Sequence, residues 1–200
     1  VHMAGNLQVL AGQAQINAYA HSLQSLPWFI LWGSRLFLLA AVLIHAWTAY
    51  SLIVENRKAR PDANEVEVTK RAGRASLRMG FTGSIILAFI VFHLLHFTVR
   101  TIYPEYAEMM TTVGSPDETE IHDAFLMVIS GFKHDLISIF YVVAMALLCA
   151  HLAHGFSSVF QSLGIRSESW RAKIDLIGIG YAWLIFIGFS IVPLSVLAQK

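Results

Sequence analysis

Charge is what this sequence has least of. Of its 200 residues only 14% are Asp, Glu, Lys or Arg while 56% are hydrophobic, against about 25% charged residues in a typical soluble domain. With a mean hydropathy of +0.59, the chain reads as a membrane protein. Cysteine is nearly absent as well: Cys149 stands alone in an apolar stretch. That excludes an internal disulfide, a cluster of iron and sulfur held by this chain, and the C-x-x-C-H motif of covalent haem attachment. No P-loop occurs and no G-x-G-x-x-G follows a strand pattern, so nucleotide chemistry is excluded and no nucleic-acid partner is expected. A start methionine is missing too, the chain opening "VHMAGNLQVL". Beyond a weak likeness between two His-bearing segments, no internal repeat is visible.

Four stretches nearly free of charge are long enough to cross a hydrocarbon core of about 30 Å as helices. The spans fall at about 28–54, broken only by Arg35, then 79–102, 136–162 and 174–198. The expected fold is an all-α transmembrane bundle forming a single membrane domain. The segment "ENRKARPDANEVEVTKRAGRASLR" between the first two spans carries seven Lys/Arg. The next connection, "YPEYAEMMTTVGSPDETEIHDAF", carries six acids and no Lys or Arg. Short loops rich in Lys/Arg stay in the cytoplasm. Residues 55–78 and 163–173 are therefore expected inside, and 1–27 and the connection 103–135 outside, in a multi-pass protein of the cytoplasmic membrane. A chain that starts outside with neither a signal peptide nor Met leads to the expectation that residues 1–10 end a truncated first helix, which would make five spans in all.

Ionisable groups in an apolar span are costly and read as functional by default. Here "LIHAWTAY", "VFHLLHF" and "LCAHLAHGF" place His45, His93, His96, His151 and His154 in such spans. At 1.5 Å per residue, His45 lies about 14 Å and His151 about 16 Å from the cytoplasmic face, while His93 lies about 21 Å from it. Two neutral imidazoles at one depth on different helices are what a six-coordinate b-type haem requires, one nitrogen on each side of the iron. Ala49 follows His45 by one turn and Gly155 follows His151 by one turn, which leaves room beside both rings. The competing use of such histidines is as hydrogen-bonding glue between helices. His96 and His154, three residues after their neighbours, are read as supporting groups or propionate partners. His93 needs a partner of its own from among His2, His21, His122 and His134; the last two are expected to be too wet, and His2 suits if "VHM" ends a preceding helix.

These residues resemble the di-haem cytochrome b membrane anchor of succinate:menaquinone oxidoreductases and fumarate reductases, in the form with one five-helix subunit. The likeness runs in order through "HMAGNLQ", "NAYAHSLQSLP", "IHAWTAY", "RMGFTG" with "FHLLHF", whose His93 stands ten residues after Gly83, and "HLAHGFSSVFQSLG", with Gly164 thirteen residues past His151. The resemblance implies two non-covalent haem b groups, with His2 and His93 ligating the outer one and His45 and His151 the inner one. It also implies a flavoprotein subunit carrying FAD and an iron–sulfur subunit on the cytoplasmic side, with menaquinone as the quinone. The dicarboxylate active site would lie on those partners, and this chain would serve as the electron-transfer anchor of a respiratory, tricarboxylic-acid-cycle enzyme.

Carboxylates on a haem call for cations, and Arg binds them through two parallel bonds. Arg35 is the candidate near the outer haem, and Arg74 and Arg78, at the inner mouth of the third helix, are candidates for the inner one. Interfacial arginines also snorkel to headgroups without any such role. The polar stretch "GQAQINAYAH" could line a quinone site, or be a loop packed over the edge of the outer haem, which is the preferred reading. Two other classes remain in view. One is the cytochrome b anchor of a hydrogenase or formate dehydrogenase, told apart by its partner. The other is a haem-free transporter using histidines as a proton relay, told apart by the lack of a Soret band.

Overall fold

The computed structural model describes residues 1–59, 79–165 and 167–200. It is an all-α helical bundle with one two-stranded ribbon among the described residues. The short helix α1 (His2–Asn6) runs into a 3₁₀ turn over Leu7–Ala11 and then α2 (Gln13–Gln24). Next come α3 (Trp28–Ala59) and α4 (Met79–His93), the latter continued by a π-helical turn over Leu94–Thr98. Strands β1 (Met110–Thr111) and β2 (Ile121–His122) pair antiparallel, with Met110 opposite His122. The chain ends with α5 (Ala124–Phe132), α6 (Asp135–Ser162) and α7 (Glu168–Leu197).

Four helices, at Trp28–Ala59, Met79–Thr98, Asp135–Ser162 and Glu168–Leu197, are long and apolar enough to cross a membrane. The protein is a multi-pass membrane protein. Apolar side chains face outward along them, as lipid requires: Trp28, Phe37, Trp47, Leu136 and Leu176 are all largely exposed. Helix α3 continues past the expected end at 54 to Ala59, closing on Arg57 and Lys58, which suit the negative end of a helix dipole. Residues 13–24, expected as a loop, form a helix, and the 103–135 connection contains the ribbon and α5.

The buried core lies at the ribbon end of the bundle. Phe89, Phe132, Tyr141, Met145, Val192 and Ile16 belong to one cluster drawn from α2, α4, α5, α6 and α7. A polar lock fastens the cover above it. The fully buried Asn17 of α2 donates to Asp123 Oδ1 at 3.1 Å and to the Val113 carbonyl at 3.2 Å, and accepts from the Phe125 amide at 2.9 Å. Asp123 also caps α5 by accepting from Leu126 N at 3.0 Å, and takes a third bond from Gln13 at 2.7 Å. Gly114, at φ 88, lets the ribbon's turn press onto α2: a Cβ there would lie 2.5 Å from the Ala14 carbonyl oxygen. By contrast, no residue of α3 is buried.

Candidate functional site

The histidines of the spans come together in two pairs. Toward the Arg57 end, His45 on α3 faces His151 on α6, with ring centroids 6.2 Å apart and ring planes at 82°. Toward the ribbon end, His2 on α1 faces His93 on α4, at 5.9 Å and 72°. Both pairs join rings from different helices. No group of three or more His, Cys, Asp or Glu able to hold a metal ion occurs among the described residues; the donors come in twos.

Neighbouring hydroxyls engage the pairs. His151 Nδ1 lies 3.4 Å from Thr82 Oγ1, which also stands 3.2 Å from the Met79 carbonyl. Gly83 packs beside this ring: a Cβ there would stand 3.4 Å from His151 Cε1, an ordinary van der Waals contact. At the other pair, the Tyr141 hydroxyl bridges His93 Nδ1 at 3.3 Å and His96 Nδ1 at 3.0 Å. A hydroxyl carries one proton, so it donates to one ring and accepts from the other. The π turn sits here, a register change that recurs at functional sites in helices. His96 is fully buried, stacks on Phe97 at 3.9 Å between centroids, and keeps an unpartnered Nε2. His2 Nε2 meets only the Asn6 amide, at 3.5 Å, the outer limit of a hydrogen bond.

A cavity of about 680 Å³ opens beside His2 and His93. Its body is apolar, with Leu31, Phe89, Phe97, Met145, Phe189 and Val192 in the wall. Its polar lining includes Arg35, Arg100, His122, Tyr19 and Gln24, and no Asp or Glu. The His122 ring donates from Nδ1 to the Met109 carbonyl at 3.0 Å and leaves Nε2 buried and unpartnered. Burial and then the charge of Arg100 hold His122 below the usual histidine range, against weaker upward pulls from the Met109 carbonyl and Asp123.

Of the residues singled out in the sequence, His2, His93 and Arg35 share the cavity, and His45, His151 and Gly83 form the second group. His96 supports His93 through Tyr141 and does not line the cavity. His154 is half-buried one turn beyond His151 without a ring contact to the pair, and Gly155 has Met79 Cε at an ordinary 4.0 Å from the place of its missing Cβ. Arg74 and Arg78 lie outside the described residues. His134 stacks flat on Tyr103 at 5.3 Å, and His21 bonds near its own helix end to Ser25. His122, expected to be wet, is half-buried in the cavity wall.

Sequence reasoning missed two residues, Arg100 and Tyr141, and set a third, His122, aside as too wet. Arg100 had a signal, being the only Lys or Arg between residues 79 and 132. Tyr141, the lone tyrosine of a 28-residue apolar helix, had a weaker one. No family model, no curated protein and no solved structure matches the chain.

Proposed function

We propose that this chain is the haem-carrying membrane anchor of a succinate dehydrogenase or fumarate reductase, linking an iron–sulfur partner to menaquinone through two bis-histidine sites. The observation that carries the reading is the spacing of the histidine pairs. Two metal–nitrogen bonds of about 2 Å each, plus the short distance from each nitrogen to its ring centre, require centroids roughly 6 Å apart. The pairs stand at 6.2 and 5.9 Å. When bound, each haem b supplies a one-electron carrier whose potential the protein sets.

The residues fit that group. At the His45–His151 pair, the Thr82 hydroxyl 3.4 Å from His151 Nδ1 is placed to accept that atom's proton, which would leave Nε2 to the metal, as the second partner of a ligating histidine does. At the His2–His93 pair, a His93 that offers Nε2 must carry its proton on Nδ1. Tyr141 then accepts from His93 and donates to His96, so one hydroxyl orients the ligand and is itself held in place. The cavity of about 680 Å³ falls in the 300–1,000 Å³ range of ligand sites, and its apolar body keeps water from the ring.

Because the chain has no flavin or iron–sulfur motif, dicarboxylate chemistry belongs to an FAD flavoprotein and an iron–sulfur subunit. These dock on the Lys/Arg-rich side, which the positive-inside rule places in the cytoplasm, and the ribbon end faces out from the cytoplasmic membrane. The test is the haem-to-protein ratio of the purified protein by pyridine haemochrome with a reduced-minus-oxidised spectrum. Two b haems per chain are expected. None would overturn the reading, and one would strip the His2–His93 pair of its role.

A further inference from the structure

Two guanidinium groups line the cavity beside His2 and His93, and among the described residues neither has a carboxylate against it. Arg35 lies over the Trp32 ring at 5.1 Å from its centroid. Arg100 makes no hydrogen bond or ion pair among the described residues, and its Nε is buried without a partner. The nearby acid, Asp123, is already engaged by Gln13, Asn17 and the Leu126 amide. His122 cannot serve as a counter-ion either, since an imidazole is neutral or cationic. Arg35 is exposed and Arg100 half-buried, so it is the buried, unpartnered Nε of Arg100 that calls for an acceptor.

The backbone points the same way. Arg100 sits at φ 62, in the left-handed region that side chains other than glycine, Asn and Asp rarely adopt. The turn follows directly on the π-helical segment Leu94–Thr98 that carries His96. Strain of this kind persists where the surroundings hold it, and it gathers at ligand sites. An arginine that merely snorkels needs neither a buried Nε nor a strained backbone, because its head reaches water or phosphate.

We propose that Arg100, with Arg35 as a second cation, is the carboxylate clamp of this cavity, binding the acid groups of a ligand whose apolar body fills the rest. The inference rests on the reading given above, under which those acid groups are the propionates of the haem held by His2 and His93. Arg100 rather than Arg35 alone then neutralises them, through the paired N–H bonds that a guanidinium offers a carboxylate. A positive charge at that position favours the reduced iron, so losing it lowers the midpoint potential of that haem alone.

The test is a redox titration of the purified full protein, followed in the haem α band, for wild type, Arg100→Gln and Arg100→Lys. The outer transition is identified as the one lost in His93→Ala. Expected is a downward shift of the outer transition in Arg100→Gln, an inner transition left in place, and a return toward wild type in Arg100→Lys. If Arg100→Gln fails to hold the outer haem, an Arg100→Lys protein that holds it at near wild-type potential supports the clamp, and loss in both variants overturns it. Two haems with unmoved potentials in Arg100→Gln overturn the clamp and leave the haem reading standing. A wild-type protein without haem overturns both. A wild-type outer potential that moves on adding malonate overturns the assignment to propionates, because the clamp would then hold a free dicarboxylate.

Discussion

The two histidine pairs have almost the same spacing and quite different surroundings. At the ribbon end, His93 stands behind a buried aromatic cluster, a covering helix and a polar lock centred on Asn17. At the Arg57 end, His45 projects from a helix with no buried residue, and only the half-buried His151 has a hydroxyl beside it. The difference teaches that the spacing of the rings and their protection are supplied separately. Pair spacing comes from which turns of the helices meet, whereas cover comes from segments outside the spans. The ribbon-end site is thus expected to be the more rigid and the more sensitive to distant changes.

Under the proposed reading, removing a haem ligand is the largest perturbation. His151→Ala or His45→Ala is expected to halve the haem content and leave the other haem with its own spectrum, since the ribbon-end site shares no ligand with this pair. Pyridine haemochrome on the purified variants checks this. Retention of both haems in either variant would sink the assignment of that pair.

Breaking the cover comes next. Asn17→Ala removes three hydrogen bonds at a fully buried position and strands part of Asp123 and the Phe125 amide. A cost of about 2–4 kcal/mol is expected from the unsatisfied buried groups. Thermal unfolding followed at both haems would show it, with the ribbon-end haem lost first. Equal loss at both ends would mean that the cover is not a separate device.

How much of this was legible in the sequence follows from what each feature depends on. The four spans could be read because lipid imposes an apolar run on each, and Trp28–Ala59 or Glu168–Leu197 cannot be built otherwise. The face-to-face placement of His45 and His151 could be reached by counting residues from one membrane surface, since a regular helix converts number into depth. The ribbon end resisted for the opposite reason. Residues 13–24 and 103–135 carry mixed polar patterns that suit a loop or a helix equally, and their structure is set by contacts as far apart in the chain as Asn17 and Asp123. Arg100 was hidden by a backbone reversal that no periodicity announces.

A smaller effect separates the ends by pH. His122 lies at the ribbon end with its proton affinity lowered by burial and by Arg100. Its unfolded value is about 6.5. Above that value both states are neutral and nothing is lost. As pH falls below it, the unfolded chain takes up a proton that the folded one resists, so stability declines toward acid. At pH 5.5 the loss is bounded by about 1.4 kcal/mol, one unit's worth. Comparing melting of wild type and His122→Asn at pH 7 and 5.5 isolates this term, and equal slopes in the two proteins would refute it.

The finest comparison sets the two hydroxyls against each other. Tyr141→Phe leaves the Nδ1 atoms of His93 and His96 without their partner in a buried site, where an unmet polar group costs about 1–3 kcal/mol. Thr82→Val preserves shape but removes a 3.4 Å contact to the half-buried His151, for which a loss of about 0.5 kcal/mol is appropriate. Both variants are expected to keep two haems. The potential and band position of the ribbon-end haem should move in Tyr141→Phe, and those of the other haem should move less in Thr82→Val. The ordering matters more than either value. If Thr82→Val proved the more disruptive, the exposed pair would depend on its single hydroxyl for orientation, and the cover at the ribbon end would be holding His93 by packing rather than through Tyr141.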